Sequence, residues 1–198
     1  MPTKTFLNLP KEKKIRILKS AKKEFSRVPL DKAVIANIVK SAGIPRGSFY
    51  QYFENIDDLF IYLMDYMYGI DKIKFSKYLE ETENDVYAAL KLRFANTIDK
   101  LANQENRQFR INIISTIFND SARRKDLIPK MVEPDVSIDL TFFPQNIQKS
   151  KHSTNFVNLI KMIGKTCLEK FLSKSATVEE IKTDYNEYID FLKVGFTL

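Results

Sequence analysis

The sequence predicts an all-α protein, in which a small unit of three helices precedes a larger helical body, with about nine helices in all. Apolar residues recur at helical spacing almost throughout, and the alternating runs typical of strands are nearly absent. Glycine and proline, which interrupt helices, number only 5 and 7 in 198 residues. Hydrophobic residues make up 44% of the chain, which is enough for a packed core.

Several classes of protein are disfavoured by the scarcity of single residue types. Cys167 is the only cysteine, which excludes an intrachain disulfide and a cysteine-rich zinc site. His152 is the only histidine, which disfavours histidine-based metal sites and catalytic triads. The chain also lacks a glycine-rich phosphate-binding loop. We therefore expect no enzyme, no cofactor and no metal.

The sequence contains nothing typical of a membrane or export segment. No apolar run approaches the ~18–20 residues that a membrane-spanning helix needs. The first residues lack the charged, apolar and small-residue regions of a signal peptide. We expect a cytoplasmic protein.

Positive charge is concentrated in the first quarter of the chain. Residues 1–56 contain 12 lysines and arginines against 4 acids, whereas the remaining residues contain 20 against 21. This asymmetry is typical of a nucleic-acid-binding segment joined to a neutral body, and it is equally compatible with a solvated basic helix face.

Three helices are predicted within the basic segment. The first begins near Pro10, which suits a first helical turn, and ends at Val28-Pro29. The second is expected to begin at Asp31 as its N-cap and to end at Gly43, where a left-handed residue is easiest. The third is short and covers residues 45–53.

Two short helices joined by a glycine-containing turn, after a basic helix, form a helix-turn-helix candidate. The major groove of DNA is about 12 Å wide and admits one helix. A short helix braced by two others presents its outward side chains to base edges, while the basic first helix holds phosphates. This pattern favours binding to duplex DNA.

The rest of the chain is predicted to consist mainly of longer helices. Asn55 is expected to cap a helix that runs to about Glu81. Ser153 or Thr154 is expected to cap a later helix, and residues 177–180 fit a capping box for the last one. Further helices are predicted over residues 84–103, 105–119 and 121–132, with a loop over 133–152.

Residues 11–71 resemble the N-terminal domain of the tetracycline-repressor (TetR) family. The match is most specific from Ala42 to Leu59, where small, aromatic and acidic residues agree with the family in type and spacing. The matching pieces are Ile17-Leu18, Ala21, Phe25, Ile38, Ala42-Gly43-Ile44, Gly47-Ser48-Phe49-Tyr50-Gln51-Tyr52-Phe53 and Asp57-Asp58-Leu59.

The resemblance implies a DNA-binding domain over residues 1–56 and a helical ligand-binding and dimerisation domain over residues 57–198. Members of the family usually act as homodimeric repressors that leave their operator when a small molecule binds. A ligand-independent DNA-binding or architectural protein, or a protein-interaction module, is the alternative that the residues leave open.

The resemblance also implies which residues contact DNA. Arg46 and Gly47 lie where the family contacts bases, and a guanidinium can bind guanine O6 and N7 together. Phe49 and Phe53 are expected to be core residues instead. The remaining contacts are expected from Ser48, Tyr50, Gln51 and Tyr52.

Four positions depart from the family pattern. Ala33 and Val34 replace the usual Ser or Thr at the start of the second helix, so Lys32 is expected to take over a phosphate contact. Pro45 replaces a serine, and Ile56 replaces a lysine, so Asn55 is the expected phosphate contact there.

The body contains candidates for two further sites. The expected effector is an apolar or amphipathic small molecule. Its pocket is expected to involve Tyr62, Tyr66, Phe94, Phe109, Ile113 and Phe118. Ordinary core packing is the alternative for each of these residues. A dimer interface on the last two helices is expected to involve Phe156, Ile160, Ile163, Cys167, Ile181, Tyr185, Tyr188, Ile189 and Leu192.

Overall fold

The computed structural model describes residues 1–119 and 140–195. It confirms the all-α fold. The helices are α1 (Lys4–Leu7), α2 (Lys11–Arg27), α3 (Ile35–Ala42), α4 (Arg46–Tyr52), α5 (Ile56–Glu81), α6 (Val86–Leu101), α7 (Gln104–Asn119), α8 (Gln145–Gln148), α9 (Ser153–Ser173) and α10 (Val178–Gly195). The predicted helix over 121–132 lies outside the described residues.

The described chain divides into two compact units. Unit 1 contains residues 1–69 together with 103–119, and unit 2 contains residues 70–102 together with 140–195. The functional division at residue 56, between DNA binding and ligand binding, is a separate matter and stays a prediction. In unit 1, α7 packs with the N-terminal helices, although it lies within the predicted body of residues 57–198.

The turn between α3 and α4 is built as the sequence predicts. Gly43 follows α3 with φ of 62°, a left-handed conformation that favours glycine. Its N–H and that of Ile44 bond the carbonyls of Lys40 and Val39, which would otherwise end the helix unsatisfied. Pro45 then precedes the first turn of α4.

The predicted start of the second helix is wrong. Asp31 lies in a single 3-10 turn, Leu30–Lys32, and α3 begins only at Ile35, with Val34 as its N-cap. The Val34 side chain makes no capping bond; the Glu24 carboxylate accepts the Val34 N–H instead, at 2.9 Å. A carboxylate from α2 therefore satisfies a backbone N–H at the start of α3, where the local sequence had predicted a cap by Asp31.

The core of unit 1 joins helices α1 to α4 to the first half of α5 and to α7. Its largest fully buried side chains are aromatic or branched: Phe6, Phe25, Phe49, Phe53, Phe60, Ile17, Leu30, Ile38 and Leu59. Ile17, Leu18, Ala21 and Phe25 form the buried apolar stripe of α2. Short α3 and α4 are thus held by long helices that pack behind them.

Unit 2 is a helical bundle of α6, α9 and α10, which α8 and the end of α5 accompany. Phe94 and Tyr185 stack with ring centroids 3.8 Å apart, and the Lys170–Asp184 ion pair joins α9 to α10 at 2.6 Å. No helix in the described residues has the length and apolar character needed to cross a membrane.

Three local predictions for unit 2 have different outcomes. The capping box is confirmed: the Glu180 carboxylate accepts the Thr177 N–H at 2.8 Å, and the Thr177 hydroxyl accepts the Glu180 N–H at 3.2 Å. The cap at Ser153 or Thr154 is wrong, because His152 is the N-cap and its side chain makes no capping bond. The loop over 133–152 is wrong in its described part, where a 3-10 turn (Leu140–Phe142) and α8 occur.

Candidate nucleic-acid interface

Helix α4, the second helix of the helix-turn-helix, presents one face to solvent and buries the other. Phe49 and the following Phe53 are almost fully buried, as the sequence predicts. Arg46, Gly47 and Gln51 are exposed and Ser48 is half-buried. Tyr50 is 51% exposed. These residues form a projecting ridge, and we call α4 the recognition helix from here on.

Within the described residues, nothing in the packing around Gly47 requires a glycine. A Cβ atom added there would meet no heavy atom within 4 Å, and the residue is exposed in a helix, where glycine is unfavourable. A glycine at this position leaves the helix backbone uncovered at the surface.

Glu24 is the buried acid that fixes the position of α3, and sequence reasoning missed it. Its carboxylate accepts bonds from the Val34 N–H at 2.9 Å, from Asn37 Nδ2 at 3.1 Å and from Arg27 at 2.7 Å. The Arg27 bond, with those of Val34 and Asn37, holds the pKa of Glu24 below its ordinary value although burial opposes this. The only sequence signal was an acid on the apolar side of a helix.

Tyr52, which the resemblance places on DNA, lies in the core instead. It is 4% exposed, with its ring centroid 6.0 Å from that of Phe6 and the Lys13 ammonium 5.7 Å above its ring. Its neighbours hold it on the inner side of the recognition helix. We therefore leave Tyr52 out of the proposed interface.

Two flanking positions stand at helix beginnings. Lys32 is exposed at the end of the 3-10 turn that precedes α3. Asn55 is exposed, and its Oδ1 accepts the Asp58 N–H at 2.9 Å, which confirms the predicted cap of α5. Both residues are therefore available at the surface, beside helix ends whose backbone N–H groups favour anions.

Comparison with known proteins identifies the fold and the family. The sequence model described as "Bacterial regulatory proteins, tetR family" matches residues 17–63, which include α3, the recognition helix and the residues that hold them. The N-terminal part of the chain is therefore a regulatory-protein domain of the TetR family. The family consists of DNA-binding regulatory proteins and not of enzymes, which confirms the expectation drawn from the sequence.

Solved structures are similar in fold to this chain over nearly its whole length. A TetR transcriptional regulator from Rhodococcus sp. RHA1 is 14% identical, with a TM-score of 0.56, over 92% of this chain and 95% of that one. A TetR family regulator from Chloroflexus aurantiacus J-10-FL is 22% identical, with a TM-score of 0.50, over 98% of each chain. No curated protein sequence is significantly similar to the regulator.

Two polar side chains of α7 in the regulator bond backbone groups at the end of α2 and before α3. Sequence reasoning missed this second feature. Asn112 Nδ2 donates to the carbonyls of Phe25 and Ser26, at 2.9 and 3.0 Å, and these carbonyls belong to the last turn of α2. The Thr116 hydroxyl accepts the Leu30 N–H at 3.2 Å, just before α3. Asn112 and Thr116 are both buried. The alternation of polar residues with apolar ones in α7 was the available signal.

The predicted pocket residues of the regulator do not lie together within one unit. Phe109 and Ile113 are buried in the core of unit 1, and Tyr62 packs there against Phe6, at a centroid distance of 5.2 Å. Tyr66 is 37% exposed. Phe94 belongs to unit 2, where it stacks on Tyr185. The Phe118 side chain lies outside the described part of the structure. Core packing, the alternative stated above, accounts for Tyr62, Phe94, Phe109 and Ile113.

Most of the predicted dimer-interface residues of the regulator are buried within their own unit. Phe156, Ile160, Cys167, Ile181, Tyr185 and Ile189 are each at most 4% exposed, and Ile163 and Leu192 are half-buried. The predicted stripe was correctly recognised as apolar, but it packs α9 and α10 against each other and against α6. Of the predicted set, only Tyr188 is exposed.

A second set of apolar residues, which shares only Tyr188 with the predicted one, lies at the surface of the same two helices. It comprises Leu159 and Met162 on α9 and Tyr188, Phe191 and Val194 on α10. Met162 is 62% and Phe191 69% exposed, which is unusual for such large side chains. We call these five residues the exposed apolar face.

Proposed function

We propose that this regulator binds a DNA operator as a homodimer in the cytoplasm and represses transcription until an apolar or amphipathic small molecule releases it. The observation that carries the DNA-binding part is the exposed ridge of the recognition helix, with a glycine that no contact among the described residues requires. The excess positive charge of residues 1–56 supports the same conclusion, since it attracts phosphates from any sequence.

In the proposed complex, the recognition helix lies in the major groove. Arg46, at its first turn, donates two hydrogen bonds to a guanine, which is worth about 1–3 kcal/mol of discrimination against the wrong base. Gly47 allows the backbone to approach a base edge or a thymine methyl. The contacts that position the helix on phosphates come from Lys32, Ser48, Tyr50, Gln51 and Asn55.

The exposed apolar face supports the homodimer. Along α9, Leu159 is eleven residues before Lys170 and thus on the same stripe; along α10, Tyr188 and Phe191 share the stripe of Asp184. Because Lys170 and Asp184 form an ion pair at 2.6 Å, the two stripes lie side by side. Apolar surface of this extent, on two adjacent long helices, is suited to pack against a second copy across a twofold axis.

Helix α7 supports a route for release of the operator. Its side chains supply bonds that complete the end of α2 and the segment before α3, so a shift of α7 disturbs the backbone that holds the recognition helix. An effector acts only through a difference in affinity between the two states. A coupling of about 1–3 kcal/mol gives a 5–150-fold change in operator affinity.

The test begins with selection of duplexes by the full-length protein from a pool with a random 40-base-pair centre. We expect enrichment of an inverted repeat whose half-sites are about one helical turn, or a multiple, apart. If no sequence is enriched and the protein binds all duplexes alike, with an affinity that changes only with salt concentration, the operator-binding proposal is rejected. Enrichment of single, unpaired sites by a monomeric protein would reject the homodimer instead.

A screen of apolar and amphipathic compounds against the complex with the selected duplex then tests release. Displacement by a compound that also raises the melting temperature of the free protein supports the effector. Failure of every compound, with specific binding intact, would favour the ligand-independent alternative.

A further inference from the structure

An N-terminal segment that the sequence did not predict as structured is attached to the end of the recognition helix. Residues 1–9, which we call the arm, contain α1 and precede the helices that the family model matches. The Thr3 N–H donates to the Tyr52 carbonyl at 2.9 Å, and the Thr3 hydroxyl donates to the Gln51 carbonyl at 2.6 Å. One residue thus bonds two consecutive carbonyls of the recognition helix.

These two carbonyls are among those that a helix end leaves unsatisfied. The last four carbonyls of any helix have no partner within it. The recognition helix has only 7 residues, a length at which a helix depends on its surroundings for its order. Thr3 therefore completes the last turn of the helix from outside, with one backbone and one side-chain bond.

The arm is itself held firmly against the rest of unit 1. Phe6 is fully buried, and its ring centroid is 4.7 Å from that of Phe53 and 5.2 Å from that of Tyr62. The Lys14 ammonium donates to the Leu7 carbonyl at 3.0 Å. The bonds of Thr3 are thus made from a fixed support and not from a loose chain end.

The turn of the recognition helix that Thr3 bonds contains residues proposed to contact DNA. Tyr50 and Gln51 lie in its last turn, and both side chains are exposed. Fraying of that turn would move them, while the lysines that attract phosphates from other elements would stay in place. Base reading depends on such positions, whereas non-specific affinity depends mostly on charge.

We propose that Thr3 is a positioning residue for sequence reading, because its hydroxyl fixes the C-terminal turn of the recognition helix through the Gln51 carbonyl. This inference rests on the proposed function, and it assigns to the arm a share in operator specificity. Thr3 is not itself assigned a contact with DNA.

The test uses the full-length protein with Thr3→Ala, Thr3→Ser and Thr5→Ala. Thr3→Ser keeps the hydroxyl, which also accepts the Phe6 N–H at 3.4 Å as the N-cap of α1. Thr5→Ala removes an exposed hydroxyl from α1 itself. The probes are the duplex selected by the wild-type protein and the same duplex with both half-sites scrambled. The measured quantity is the ratio of the two dissociation constants, at fixed salt.

We expect Thr3→Ala to lower this specificity ratio about three- to tenfold, the range for loss of one hydrogen bond. Thr3→Ser and Thr5→Ala should retain the wild-type ratio. Hydrogen exchange in a peptide that spans residues 50–53 should be faster in Thr3→Ala alone, a local effect that a general loss of stability would not confine to this turn.

Two results would overturn the inference. One is an unchanged ratio in Thr3→Ala, which includes an equal loss of affinity for both duplexes. The other is a lowered ratio in Thr3→Ser, which keeps the hydroxyl and tests the inference even if Thr3→Ala proves unstable. Failure of the wild-type protein to select any duplex is a separate outcome, which rejects the proposed function first.

Discussion

At Gly47, the stability of the helix and the proposed approach to DNA favour different residues. Alanine there would stabilise the recognition helix, and its Cβ would meet no atom of the described residues within 4 Å. We expect Gly47→Ala to raise the free energy of unfolding by about 0.5–1 kcal/mol. Affinity for the selected duplex should nevertheless fall, because the methyl group occupies the space that the groove needs.

Thermal unfolding and duplex titration measure the two effects of Gly47→Ala. Gly69→Ala is the matched control, since an added Cβ in α5 also meets no atom within 4 Å. It should gain similar stability and keep wild-type affinity. Unchanged binding by Gly47→Ala would show that no foreign surface approaches that backbone.

Glu24 makes the stability of unit 1 depend on pH in a defined direction. Its folded-state pKa is lowered, first of all by the bond to Arg27, so its contribution is complete above the pKa of the unfolded chain. The contribution is lost as the pH falls through the folded-state value. Since an unperturbed glutamate has a pKa of about 4.3, stability should decline below about pH 4.

Glu24→Gln removes the charge and keeps the size of the side chain. We expect it to lower the free energy of unfolding by about 1–3 kcal/mol near pH 7, and by less as the pH falls below about 4. Urea unfolding across this range checks the prediction, with the exposed Glu12→Gln as control. A difference between wild type and Glu24→Gln that is constant with pH would contradict the role of the carboxylate.

At the scale of elements, α7 acts on α2 through Asn112. Asn112→Leu keeps the approximate volume and leaves the buried carbonyls of Phe25 and Ser26 without their donor. The free energy of unfolding should fall by about 1–3 kcal/mol. Gln104→Leu, at an exposed position of the same helix, should change it by less than about 0.5 kcal/mol. Equal effects of the two substitutions in urea unfolding would show that Asn112 has no special part.

The elements also show how far the sequence alone could lead. The bounds of the long helices, the glycine that ends α3 and the capping box of α10 follow from local rules, and the sequence predicted them well. The start of α3 was missed, because Glu24 bonds it from ten residues away. The arm was missed for a related reason, since its order comes from contacts of Thr3 with residues 48 and more positions later.

The candidate site shows the same limit. Periodicity identified Phe49 and Phe53 as core and left Arg46 and Tyr50 exposed, as the structure confirms. It did not show that Tyr52 turns inward, because that depends on the arm and on Lys13. On α9 and α10, periodicity found the apolar stripe but could not say which molecule covers it.

At the scale of the whole molecule, the exposed apolar face determines whether two recognition helices are joined. Phe191→Asp places a charge at the centre of the proposed subunit contact and should convert the dimer to monomer in sedimentation. Affinity for a duplex with both half-sites should fall strongly, because binding of one recognition helix no longer brings a second one to the other half-site. Ile73→Asp, at an apolar residue of α5 that is 65% exposed, is the control and should remain dimeric.

A folded Phe191→Asp protein that sediments as a dimer would place the subunit contact elsewhere. Ile189→Asp is not suited to this test, because Ile189 is fully buried in unit 2 and its loss would disturb the unit itself.

The most direct test of the account pairs Arg46→Ala with a changed base in the selected duplex. If Arg46 reads a guanine in each half-site, replacing that guanine should weaken wild-type binding by about 1–3 kcal/mol per half-site and should hardly affect Arg46→Ala. Arg16→Ala, which removes an exposed arginine from α2, should keep the full wild-type discrimination. If Arg46→Ala discriminates against every single-base change as strongly as the wild-type protein does, the recognition helix does not read DNA as described.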